Sequence, residues 1–172
     1  MSTGGLGLSS TTSISNPAHD LAVMRARAEQ IVKTGAGWFI WIAGLSLINS
    51  LITAFDGNFH FIFGLGITTI VDAVARNAGR GAAIPGLVID LFVAGVFAVF
   101  WHFGRKGGKW AFIVGMALYA LDGVLLLLFR DFLGAAFHVY ALFMLYRGLA
   151  GTSMLEKCRR AELFSGAAIE PR

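Results

Sequence analysis

Asp122 and His138 each interrupt a run of apolar residues. A carboxylic acid and an imidazole are the side chains that most often pass protons near neutral pH, and together they can also orient a polar ligand or bind a metal. They belong to the stretch 110–149, two apolar runs folded back at Phe129-Arg130-Asp131-Phe132. Asp122 lies eight residues before Arg130, and His138 seven after Asp131. At ~1.5 Å of rise per residue, both stand roughly 11 Å from the turn, so they share a depth. Tyr119, one turn before Asp122, is placed to donate to a carboxylate. Ionisable groups in hydrocarbon cost ~3 kcal/mol or more each, so they face the bundle interior and pair. The expected local state has His138 sharing a proton with Asp122 or Asp90, with the other carboxyl neutralised.

The elements that position these residues are set by composition. With 56% hydrophobic and 14% charged residues and a mean hydropathy of +0.71, the 172-residue chain is too apolar for a soluble globule and reads as an all-α integral membrane protein. The net charge of +4 is accounted for by basic flanks of membrane helices, so no nucleic-acid partner is expected. The single Cys158 leaves no internal disulfide and no thiolate cluster.

Along the chain, the Gly/Ser/Thr-rich residues 1–16 read as a disordered tail, with Ser2 where N-myristoylation needs glycine. The late basic residues and long apolar run do not fit a secretory signal. Asn16-Pro17 starts a helix, and residues 17–34 read as an amphipathic juxtamembrane helix or as an extension of the first span. The membrane domain covers 35–150, with apolar segments at 36–55, 84–103, 110–129 and 132–149 and a striped segment at 59–76. In the first of these, Ser46, Asn49, Ser50 and Thr53 fall on one face. In 59–76, His60, Gly64, Thr68, Asp72 and Arg76 form a polar stripe. In 84–103, Gly86, Asp90, Ala94, Ala98 and His102 form a small-and-polar stripe that permits close helix approach. Beyond 149, Ser153-x-x-Glu156 has the form of a capping box, opening a basic C-terminal helix and tail over 151–172.

The distribution of Lys and Arg decides the number of spans. Five spans with the N-terminus inside leave Arg25, Arg27, Lys33, Arg76, Arg80 and Arg130 inside, six against eight outside. If 59–76 lies along the outer surface, only Arg76, Arg80 and Arg130 stay outside, eleven inside against three. The expected architecture is a four-transmembrane-helix bundle with an extra amphipathic interfacial helix and both termini cytoplasmic; five transmembrane helices is the alternative. In the four-span arrangement Asn49, Asp90, Asp122 and His138 form one polar layer, roughly 10–12 Å below the outer surface.

That layer has three chemical readings. It is interhelical hydrogen bonding, or a binding pocket or proton-linked path for a small ligand, or an active site. A serine hydrolase would combine Ser46 or Ser50 with His138 and Asp122, but no Gly-x-Ser-x-Gly elbow surrounds either serine. A metal would have Asp90, Asp122, His138 and Asn49, a set with one imidazole that is poor for zinc, and no His-Glu-x-x-His is present. The expectation is a non-catalytic accessory or small-ligand-binding component of an inner or plasma membrane, without metal or cofactor. Its partners are the lipid bilayer and either copies of itself or a larger membrane complex. An intramembrane hydrolase or a proton-coupled transport subunit using the same residues is the alternative.

Overall fold

The computed structural model describes residues 16–54 and 83–167. Four α-helices make up the regular structure among these residues: α1 (Pro17–Ala54), α2 (Ala83–Gly104), α3 (Lys109–Leu128) and α4 (Phe132–Ala167). The tail before residue 16, the striped segment 59–76 and residues 168–172 lie outside the described residues.

Both short connections end a helix in the same way. After α2, Gly108 N–H donates to Phe103 O at 3.1 Å and Gly107 N–H to Gly104 O at 2.9 Å. This is a Schellman cap, with Gly107 supplying the left-handed residue at φ 87°. After α3, Asp131 N–H donates to Leu126 O and Arg130 N–H to Leu127 O, and Arg130 takes the left-handed position at φ 60°. Asp131 then caps α4, its Oδ1 accepting the Gly134 N–H at 2.9 Å.

Cross-helix contacts fix the topology. Ala36 meets Gly104 and Gly35 meets Gly148 across α1, while Gly115 faces Phe100 and Gly123 faces His138. Each neighbouring pair is therefore antiparallel, in the cyclic order α2, α1, α4, α3. The start of α1, the 105–108 turn and the far part of α4 share one end of the bundle. Ala54, Ala83 and the 129–131 turn share the other, so the chain between α1 and α2 leaves and returns at a single end.

Of the two readings of residues 17–34, the extension of the first apolar segment is the one observed: α1 runs 38 residues without a break. One expectation is corrected: Ser153-x-x-Glu156 does not open a helix, because α4 runs 36 residues through it. The reason is a continuous seam. Ala28, Val32, Ala36, Phe39, Ile42 and Ala43 on α1, and Ala141, Leu145, Leu155 and Cys158 on α4, are buried at helical spacing across both supposed boundaries. With the amides around Ser153 already inside a helix there is nothing to cap. Glu156 instead takes the Lys109 ammonium at 2.6 Å, which holds its carboxyl below the usual glutamate range. Arg25 joins Glu162 at 3.0 Å further along. By length, α2 and α3 match the ~30 Å hydrocarbon core, and α1 and α4 overhang it together by roughly 20 Å at one end.

Among the described residues, three helices are long and apolar enough to cross a membrane, within Pro17–Leu51, Lys109–Leu128 and Phe132–Phe164, and α2 is apolar from Val88 to Gly104. The outward faces carry Phe92, Leu121, Leu128, Phe132 and Val139, all exposed. In water such a surface would aggregate; in lipid it is the solvated side. Inside, Phe39 stacks against Phe97, Phe100 and Phe112 at centroid distances of 6.1, 5.7 and 5.7 Å. This aromatic half lies toward the 105–108 turn. The polar residues fill the other half.

The α1–α4 contact rests on absent side chains. A Cβ on Gly35 would land on the Gly148 backbone, and one on Gly148 would stand 2.6 Å from Phe112 Cε1. Gly37 has open space around it. Gly35→Ala is therefore expected to destabilise the bundle by about 1–3 kcal/mol, while Gly37→Ala stays neutral or gains up to ~1 kcal/mol of helix propensity. Unfolding of both variants in micelles measures the difference; equal stabilities would refute the close seam.

Candidate functional site

The site grows from the α3–α4 hairpin. Its three-residue turn places the two helices side by side, and Gly123 removes the bulk that would separate them at mid-height. A Cβ there would sit 3.2 Å from His138 Cβ and 3.3 Å from Cδ2. The imidazole thus lies flat against α3, with Asp122 on one side and Tyr119 beneath it. His138 and Asp122 are 2% and 5% exposed, so water does little to solvate either.

Both ring nitrogens of His138 are taken. Nδ1 lies 2.9 Å from the Gly134 carbonyl oxygen, one turn earlier on α4. A carbonyl only accepts, so Nδ1 carries a hydrogen and donates it. Nε2 lies 2.8 Å from Asp122 Oδ2. At that distance one proton stands between them, since a bare nitrogen facing a bare carboxylate would set two lone pairs against each other. That proton sits on Asp122, giving acid and neutral imidazole, or on Nε2, giving carboxylate and imidazolium. In either form the pair has no net charge, the condition hydrocarbon imposes on buried ionisable groups. The carboxyl partner of His138 is Asp122, not Asp90.

Tyr119 stacks on the imidazole, with ring centroids 4.1 Å apart and planes 14° from parallel. What the structure gives it is a packing role on the ring face. Tyr119 also makes a T-shaped contact with Phe97 at 6.2 Å, linking the dyad to the aromatic half of the core.

Asp90 and Asn49 stand on the other helix pair. Asp90 is 0% exposed on α2, and neither carboxyl oxygen has a hydrogen-bond partner among the described residues. The polar group beside it is the Ser50 hydroxyl of α1. That hydroxyl also reaches the Ser46 carbonyl oxygen, 3.2 Å away, so its one proton is claimed from two sides. Ser46, Asn49 and Ser50 are all buried on α1. Of the five residues singled out from the sequence, Tyr119 and Asp122 both meet His138, Asp90 stands apart beside Ser50, and Asn49 is buried on α1.

Three features escaped sequence reasoning. Gly123 and Gly134 hold the histidine, and only their positions beside Asp122 and one turn before His138 hinted at it. The third is a groove of about 300 Å³ between α2 and α3, lined by Val93, Val96, Phe97, Leu118, Leu121, Asp122 and Leu125. Asp122 is the one polar side chain in that lining, and Leu118 and Leu121 are exposed at the lipid-facing rim. The groove arises because α2 and α3 are the neighbours that touch least.

The described residues gather no set of three or more His, Cys, Asp and Glu side chains able to hold a metal. Nor do they form the serine relay, because Gly134 and Asp122 occupy the two imidazole nitrogens that such a relay would need. Comparisons with protein-family models, with curated proteins and with solved structures find no match to this chain.

A double-mutant cycle with Asp122→Ala and His138→Ala isolates the dyad. The two losses of folding stability in micelles are expected to be non-additive, with a coupling of about 1–2 kcal/mol. Additive losses would mean that the two side chains do not interact.

Proposed function

We propose that this chain is a small, non-catalytic, multi-pass component of a cell membrane that binds an apolar small ligand in the α2–α3 groove against Asp122. In this reading four helices span, residues 59–76 lie along the outer interface, and both termini face the cytoplasm of an inner or plasma membrane. The basic residues Arg25, Arg27, Lys33, Arg105, Lys106 and Lys157 crowd toward one bundle end, which the positive-inside rule turns inward. The exposed apolar belt supports contact with lipid on all sides. Copies of the chain or a larger membrane complex remain the natural protein partners for so small a bundle.

The observation that carries the binding reading is the position of Asp122. It is hydrogen-bonded to His138 behind and lines an otherwise apolar groove in front. Pockets for small ligands combine these features: apolar walls and one or two oriented polar groups. The dyad can present a proton or a lone pair to an incoming head group without changing its own net charge. A ligand that fits has an apolar body filling about 300 Å³ and a single hydrogen-bonding group. The hydrolase alternative gains nothing from this geometry, since His138 has no nitrogen left to activate a serine.

The test is a thermal-shift screen of the purified protein against lipids and amphipathic metabolites, run on three proteins. Wild type is expected to be stabilised by at least one amphiphile. Leu121→Trp, which fills the groove from the rim, and Asp122→Asn should both lose that response while still folding. A response that survives Leu121→Trp, or a wild type that responds to nothing, would reject the groove as a binding site.

A further inference from the structure

Among the described residues, Asp90 is the buried carboxyl group that the groove reading leaves unused. Its carboxyl is fully enclosed, and both oxygens lack a partner among the described residues. A bare carboxylate cannot remain so in hydrocarbon: a proton or another cation must balance it. The helices around it offer none. Residues 34–54 of α1 hold no Lys, Arg or His, and α2 holds none before His102. Across the bundle, the titratable groups are Tyr119 and Asp122 on α3 and His138 on α4, and the histidine is already committed to Asp122.

The neighbour that Asp90 does have is the Ser50 hydroxyl. That hydroxyl has one proton and two claims on it, since the Ser46 carbonyl oxygen also stands 3.2 Å from Ser50 Oγ. One shared hydroxyl proton leaves the carboxylate charge unbalanced. Oxygen-only donor sets suit hard cations. Charge selects among these: a single carboxylate neutralises one positive charge, and a divalent ion would leave the site charged inside the membrane.

We infer that Asp90, with the Ser50 hydroxyl oxygen, forms a binding site for a monovalent metal cation, sodium in the first instance. A proton competes for the same carboxylate, so occupancy by sodium falls as the medium is acidified. Asp90 lies seven residues into α2, about 10 Å from the bundle end shared by Ala54 and Ala83, which gives the ion its shortest approach. This site stands apart from the groove at Asp122 and does not depend on it.

The experiment is thermal unfolding of the full-length protein in micelles, followed by tryptophan fluorescence, in equimolar NaCl, KCl or choline chloride over a series of pH values. Sodium is expected to raise Tm above the other two salts, with an apparent affinity that weakens by up to about tenfold per pH unit on acidification. Asp90→Asn should abolish the sodium response, and Asp122→Asn should keep it. If Asp90→Asn fails to fold, Ser50→Ala is the informative variant, expected to fold and to bind sodium about tenfold more weakly. Identical Tm in the three salts would overturn the site, even with a strong pH response, because Asp90 would then hold only a proton. A sodium response unchanged in Ser50→Ala or Asp90→Asn would overturn it as well.

Discussion

A buried acid and a buried base must together be neutral, and the Asp122–His138 hydrogen bond of 2.8 Å is how this bundle meets that requirement. The rest of the polar half follows from it. The imidazole needs a fixed tautomer, which the Gly134 carbonyl supplies at 2.9 Å. Gly134 in turn is held by the Asp131 side chain that caps α4. The ring needs room beside α3, which Gly123 leaves, and a surface to lie on, which Tyr119 provides. Turn, cap, tautomer and helix register are therefore one connected arrangement within the α3–α4 hairpin.

The bundle is held differently at its two ends. Toward the 105–108 turn it is close-packed around Phe39, and α1 lies on α4 through the Gly35–Gly148 contact. Lipid gives helices no hydrophobic drive to associate, so such backbone approach and aromatic packing supply the cohesion. Toward the 129–131 turn the interior is polar, and α2 stands loosely against α3. The groove at Asp122 and Asp90, whose carboxyl oxygens lack a hydrogen-bond partner among the described residues, both fall in this half. Packing that secures one end leaves the other able to hold something besides protein.

The sequence makes some of this legible and conceals the rest for physical reasons. Helix identity and the 129–131 turn come from long apolar runs broken by Arg130-Asp131. Counting residues from that turn works for Asp122 and His138 because a three-residue hairpin loop fixes the stagger of its helices. The choice between Asp90 and Asp122 as histidine partner could not be read, since it depends on which helices are neighbours around the bundle. The Ser153-x-x-Glu156 pattern misled because a capping box and an exposed helix surface use the same residue types. Whether a helix breaks after residue 34 stayed open because apolarity changes there although the seam does not. The groove needs both helix phase and interhelical distance, and neither is written in a one-dimensional pattern. The striped segment 59–76, on which the count of spans turns, lies outside the described residues.

Nitrogen NMR of the protein labelled at the histidine rings tests the shared proton most directly. The expected spectrum has His138 Nδ1 protonated and Nε2 strongly hydrogen-bonded, both protected from exchange with water, with only the Nε2 signal moving strongly in Asp122→Asn. A bare Nδ1 with the hydrogen on Nε2, or a ring that exchanges with water as freely as exposed His102, would contradict it.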